Sequence, residues 1–282
     1  MIPFLKMNGL GNDFVVIDHR TTDANTASTV AIESDLAQRI ADRRRGVGFD
    51  QLVLIEDARQ PGAVAFLRFL NADGSESGAC GNGARCASAQ LMRETGARDI
   101  IVETQSGLSS AILCDDGTVS VDQGVAELDW RNVPLASEMD TLHLDLSLGA
   151  VSDPVAVGMG NPHCVFFVED ADAIDVEALG AQIEISPLFP ERTNVEFVSI
   201  HNRTRMRMRV WERGVGVTQA CGTGACAAAV AAHRRGLCDR ETEVVLDGGS
   251  LFTTYRPDGH VILRGPVEWN FQGEFDDEGA AS

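Results

Sequence analysis

The sequence predicts an α/β protein of the α+β kind. It is expected to form two pseudo-symmetric lobes, each a curved, barrel-like, mainly antiparallel sheet around a central helix, with the active site in the cleft between them. Three observations carry this. A motif occurs twice, as ACGNGARCASA from Ala79 and ACGTGACAAA from Ala220, which places Cys80 and Cys221 141 positions apart. Strand-like runs recur at nearly the same offset, with Gln51 matching Asn194 and the Asn71 region matching Glu212. Asp116-Gly117 and Asp258-Gly259, 142 apart, signal equivalent hairpins.

Each element has a local reason. Phe4 to Met7 and the β-branched run Phe14 to Ile17 read as strands around an Asn8 to Asp13 turn, which leaves Asn12 at the turn's mouth. A polar loop from Thr21 to Thr29 leads to a helix near Ile32 to Arg43, broken by Gly46 and Gly48. FDQLVLIE and AFLRFLN follow as strands, and a glycine-rich polar loop then delivers Cys80 to a helix over Gly83 to Thr95. In the second half, GNPHCVFF puts Asn161 before a strand, held extended by Pro162. TNVEFVSI and RMRVWE then run to Cys221 and a helix over Gly224 to Arg235. Gly96 and Gly236 close the two helices as C-terminal caps. The second helix is nearly all Ala, Cys and Val at its start, as expected of a buried central helix. Val125 to Asp153 has no counterpart and reads as the link. The expected division is 1–126 and 127–266. The acidic end EFDDEGAAS is expected to fray.

Composition excludes several functions. A net charge of -19, from 42 Asp plus Glu against 23 Lys plus Arg, repels nucleic acid and anionic membranes. Arg43 to Arg45 and Arg205, Arg207 and Arg209 read as lining a solvated face or a strand rather than phosphate sites. No segment approaches the roughly 18 apolar residues of a membrane span, and no signal-peptide core is present, so a cytoplasmic protein is expected. Seven cysteines without paired spacing read as reduced thiols, and neither Cys80 with Cys86 nor Cys221 with Cys226 has zinc-knuckle spacing, so no metal is expected. Lys6 is the only lysine, which argues against a pyridoxal Schiff base. The Gly222 to Ala227 run matches a dinucleotide fingerprint, but a long polar loop and a cysteine separate it from its strand. No cofactor is expected.

Cys86, Cys114, Cys226 and Cys238 read as inert small hydrophobes. Cys80 and Cys221 differ because each lies where helix amides and the dipole favour a thiolate, beside glycines that let those amides approach a carboxylate. Two such sites on one substrate supply a thiolate base and a thiol acid. Acyl transfer by Cys221 with His163 as base explains one cysteine only. A two-lobed amino-acid binding protein explains the recurring amides and leaves both thiols idle.

The motifs GNDFVVID, GVGFDQL, NADGSESGACGNGARC, GNPHCV, TNVEF and ERGVGVTQACGTGACAAA together resemble the diaminopimelate epimerase family over nearly the whole length. The resemblance implies cofactor-independent interconversion of LL- and meso-diaminopimelate, in lysine and peptidoglycan precursor synthesis, by a homodimer, and a last strand over about 267–282 that returns to the first lobe. It implies Cys80 and Cys221 as the acid/base pair, with His163 and Glu212 tuning the thiols. Asn12, Gln51, Asn71, Asn161, Asn194, Glu212 and Arg213 would hold the substrate, while Gly81, Asn82, Gly222 and Thr223 grip the reacting carboxylate. Val217 stands where many members are expected to carry glutamate. A proline or hydroxyproline racemase of the same fold is the alternative that the residues leave open.

Overall fold

The computed structural model describes residues 1–20, 31–78 and 80–276. The loop expected from Thr21 to Thr29, the leading Ala79 of the first motif and the end of the acidic tail lie outside the described residues. The chain divides into two compact units, residues 1–121 with 265–282, and residues 122–264.

In the first unit β1 (Ile2–Gly9) and β2 (Asn12–Asp18) form an antiparallel hairpin. Its turn is two residues, not six: Leu10 and Gly11 both have positive φ, 58° and 82°, the twist a tight hairpin demands. The strands therefore run to Gly9 and resume at Asn12. Helix α1 (Ser34–Ala41) then crosses over to β3 (Gln51–Glu56), which lies parallel to β2, and β4 (Phe66–Asn71) returns antiparallel. After the short β5 (Glu76–Ser77), α2 (Gly81–Thr95) crosses to β6 (Asp99–Thr104), parallel to β4, followed by β7 (Gly107–Leu113) and β8 (Val119–Val125). Strand alternation sorts the core. Met7, Phe14, Val16, Val53, Ile55, Leu67 and Phe69 pack with α2, whereas Val15, Ile17, Leu52, Leu54 and Leu70 pack with α1.

The second unit opens with a small hairpin, β9 (Ser147–Leu148) and β10 (Val151–Ser152). It then repeats the connectivity: β11 (Val155–Gly158), β12 (Pro162–Phe167), α3 (Val176–Glu184), β13 (Asn194–Asn202), β14 (Arg205–Glu212) and β15 (Gly216–Val217). Helix α4 (Gly222–Arg234), β16 (Glu241–Leu246), β17 (Gly249–Tyr255) and β18 (His260–Gly265) complete it. The pairings match one for one, with β12 parallel to β13 and β14 parallel to β16. β19 (Glu268–Phe275) returns to the first unit, antiparallel to β1.

Three further differences from the sequence expectation have physical causes. Both central helices start two residues earlier than expected, so that Cys80 and Cys221 are themselves the N-caps. Helix α3 was not foreseen, because Gly180 interrupts its apolar pattern. Trp211 lies flat over that glycine, where a Cβ would come within 2.5 Å of the Trp211 Cβ. The stretch read as a link contributes Val133, Leu135, Leu144 and Val151 to the core against α3, so it is packed structure. Gly117 and Gly259 do turn their hairpins with φ of 81° and 91°. Arg207 lies on strand β14, largely buried in ion pairs with Asp172 and Asp247.

Candidate active site

Each unit carries the same set of parts around its own capping cysteine. In the first, Asn12 begins β2, donates from Nδ2 to Asp50 Oδ2 (2.9 Å) and accepts at Oδ1 from Asn82 Nδ2 (3.3 Å). Asp50 is held in turn by Arg43 (2.7 Å), which also grips Asp13. Burial opposes ionisation of Asp13, but hydrogen bonds from Arg43 and Lys6 win and hold its carboxyl well below the usual range. The one lysine is thus buried and ion-paired. Gln51 and Asn71 face each other across β3 and β4, Gln51 Nε2 donating to Asn71 Oδ1 at 2.8 Å, with Asn71 Nδ2 on Ser75 Oγ at 3.0 Å. Cys80 caps α2, its Sγ accepting from the Gly83 amide at 3.3 Å and its carbonyl from Ala84 at 2.8 Å. Those bonds occupy the third and fourth amides of the helix. The amides of Gly81 and Asn82 are the ones a helix start leaves for an anion.

The second unit repeats the cap. Cys221 Sγ accepts from Gly224 N at 3.4 Å, its carbonyl accepts from Ala225 N at 3.0 Å, and Thr223 Oγ1 lies 3.5 Å from the sulfur. Asn161 follows Gly160 (φ 79°) and leads into β12. Asn194 donates to the Pro162 carbonyl (3.0 Å) and accepts from the Arg213 amide (2.9 Å), while the Arg213 guanidinium reaches the Glu191 carbonyl (3.1 Å). Glu212 accepts from Thr218 Oγ1. Val217 pairs with Trp211 in β15 and is exposed.

The thiol electrostatics depart from the helix-dipole expectation at Cys221. Burial pushes its thiol well up, and Glu212 and Glu196 push it further, which outweighs the lowering contacts from Thr223 and the Gly224 amide. Glu212 is itself raised by burial, against hydrogen bonds from Thr218 and Cys221. Cys86 is fully buried and pushed up to about 12, as an inert core thiol should be.

Sequence reasoning missed Glu196. It is wholly buried on β13, with Oε1 2.6 Å from His163 Nδ1, and His163 Nε2 in turn lies 2.9 Å from Asn161 Oδ1. The signal lay in TNVEF, where a glutamate interrupts an otherwise apolar strand at the parity of the helix-facing side. Asp50, Ser75 and Thr218, which brace Asn12, Asn71 and Glu212, were missed as well.

A chain of two like-wound α+β units, each with a cysteine capping its central helix, defines a recognisable class. It shares its fold with a hydroxyproline epimerase from Agrobacterium vitis, at a TM-score of 0.69, 14% identity and coverage of 99% of this chain and 93% of that one. A phenazine biosynthesis protein of the PhzF family from Bacillus anthracis is similar too, at a TM-score of 0.66, 15% identity and coverage of 96% and 98%. Within that class the sequence is specific. The family model of diaminopimelate epimerase matches residues 4–128 and 155–270. Diaminopimelate epimerases of Acidiphilium cryptum and Rhodospirillum centenum are 53% and 51% identical, spanning 97% and 96% of this chain and 96% and 91% of theirs. The chain belongs to the diaminopimelate epimerase family.

Proposed function

We propose that this protein interconverts LL- and meso-diaminopimelate, with Cys80 and Cys221 as the acid/base pair. The observation that carries the reading is the duplicated N-cap cysteine, in a chain of this family. The α-proton of an amino acid is very weakly acidic, so the site has to stabilise negative charge developing on the carboxylate side. The amides of Gly81 and Asn82, and of Gly222 and Thr223, are fixed dipoles suited to that task. Inversion needs proton removal and delivery on opposite faces of the carbon, a task that two separate acid/base groups divide between them. A raised Cys221 supports its resting as the thiol, ready to donate. Asn12, Gln51, Asn71, Asn161, Asn194, Glu212 and Arg213 are proposed to bind the substrate, and His163 and Glu212 to tune Cys221.

The reading extends to a homodimer in the cytoplasm; among the described residues no helix is long and apolar enough to cross a membrane. Sedimentation at twice the 30.2 kDa chain mass would support the dimer. The decisive assay offers LL-diaminopimelate and proline separately in deuterated water. Diaminopimelate should turn over, early product should carry deuterium at the inverted carbon, and recovered substrate should carry little. Turnover of proline alone would replace this reading with the racemase one, and equal early labelling of both pools would end the two-base mechanism.

A further inference from the structure

Because the two units share one connectivity, every residue under one capping cysteine has a counterpart under the other. Under α2, Gly83 lies flush against Val53, Phe69 and Phe14; a Cβ there would come within 3.1, 3.2 and 3.3 Å of them. The parallel registers align Phe14 with Gln51 and His163 with Asn194, so His163 stands in place of Phe14, and Glu196 in place of Val53. Glu196 Oε1 lies 2.8 Å from where a Cβ on Gly224 would be, the same position against the helix start. Both polar residues are wholly buried. The fold closes with an apolar pair at this place in the first unit, so packing alone does not require a histidine and a carboxylate in the second. Burying them is costly, and Glu196 Oε2 has no hydrogen-bond partner among the described residues.

The proton positions follow from donor and acceptor chemistry. An amide oxygen only accepts, so Asn161 Oδ1 at 2.9 Å calls for a proton on His163 Nε2. Then Nδ1 and Glu196 Oε1, 2.6 Å apart, share one further proton, and the pair is neutral overall. The opposite arrangement turns the Asn161 amide round to donate to a bare Nε2. It puts the histidine proton on Nδ1 and leaves a buried carboxylate anion, which burial disfavours even though His163 opposes the shift.

We propose that Glu196 is a positioning residue for substrate binding: through the proton it shares with His163 it keeps Nε2 protonated, which orients the Asn161 amide with Oδ1 inward and leaves Nδ2 as the donor for an oxygen of the amino-acid substrate. This rests on the reading of Asn161 as a substrate-binding residue. The effect belongs to binding, so it falls on KM rather than kcat.

The test combines ¹⁵N-histidine NMR of the free protein with steady-state kinetics on LL-diaminopimelate. Wild type should show His163 protonated at Nε2. Glu196→Gln, whose amide can donate to Nδ1, should keep that signature and a KM within about threefold of wild type. Glu196→Val should lose the signature, raise KM about tenfold, and make a further Asn161→Ala change nearly silent. The double variant His163→Phe with Glu196→Val copies the first unit's apolar pair. It should melt close to wild type, since replacing both members of a buried pair is tolerated where removing one is not, yet it should share the raised KM. A wild-type proton on Nδ1 alone, a Gln variant as impaired as Val, or a double variant with wild-type KM would each overturn the proposal. Failure of wild type to turn over diaminopimelate would instead remove the functional reading and leave the NMR result standing.

Discussion

Replacing Gly224 by alanine probes the contact between the start of α4 and the strand beneath it. The new Cβ would sit 2.8 Å from Glu196 Oε1 and 3.3 Å from the Cβ and Sγ of Cys221. On helix propensity alone alanine would stabilise by roughly 0.5–1 kcal/mol. Against this, overpacking a closed core costs about 1–3 kcal/mol. Glu196 can retreat only by stretching its 2.6 Å contact with His163, and a hydrogen bond of that charged kind is worth about 1.5–3 kcal/mol. The costs outweigh the gain by about 3 kcal/mol, or a melting temperature lower by roughly 6–12 °C for a chain of this size. Gly83→Ala is the internal control. Its Cβ meets only Val53, Phe69 and Phe14 at 3.1–3.3 Å, with no polar contact to break, so its net loss should be about 1 kcal/mol. Thermal melts followed by circular dichroism, with epimerase kinetics on both variants, give the comparison. A Gly224→Ala protein as stable as wild type, or less affected than Gly83→Ala, would refute the argument that Glu196 is pressed against the helix start.

Asp13→Asn tests the ion pairs around Asn12. Because the folded carboxyl is held below its ordinary value, its stabilisation is fully present above the unfolded pKa, near 4, and is lost as pH falls through the folded one. The variant should melt lower at neutral pH and show a flatter fall in melting temperature between about pH 4 and pH 2; an unchanged acid limb would exclude Asp13. Arg213→Lys should raise KM for diaminopimelate several-fold through loss of the planar guanidinium, with little change in melting temperature, since the side chain is exposed and its one described partner is the Glu191 carbonyl. A purely thermal effect would assign it to packing. Gly180→Ala should lower the melting temperature markedly, as its Cβ would fall within 2.6 Å of Trp211 Cγ, and wild-type stability would mean that α3 can shift at no cost.

Much of this was legible from local chemistry. A cysteine before Gly-x-Gly and an alanine-rich run marks a helix start wherever it occurs, and its recurrence exposed the duplication. The hairpin at Asn8 to Asp13 was legible as a turn but not in length, because a leucine in the left-handed region is not a turn signal. Helix α3 was hidden by Gly180, a poor helix former whose presence makes sense only once Trp211 is seen against it. Glu196 reads in sequence only as a polar break in an otherwise apolar strand. It is buried because that sheet is covered on both faces, by α3 on one and α4 on the other, and no alternation pattern records a second cover.

The sequence by itself determined the family, the repeated units, the two capping thiols and the set of amides, since these depend on residue identity and short-range geometry. Only the tertiary structure decided which amide braces which, that His163 is bound to Glu196, and that the Cys221 thiol is raised rather than lowered. Those outcomes depend on the distances between residues about 20 to 70 positions apart and on the loss of water around them. Burial raises the Cys221 thiol, and Glu212 and Glu196 raise it further, against the lowering contacts from Thr223 and the Gly224 amide.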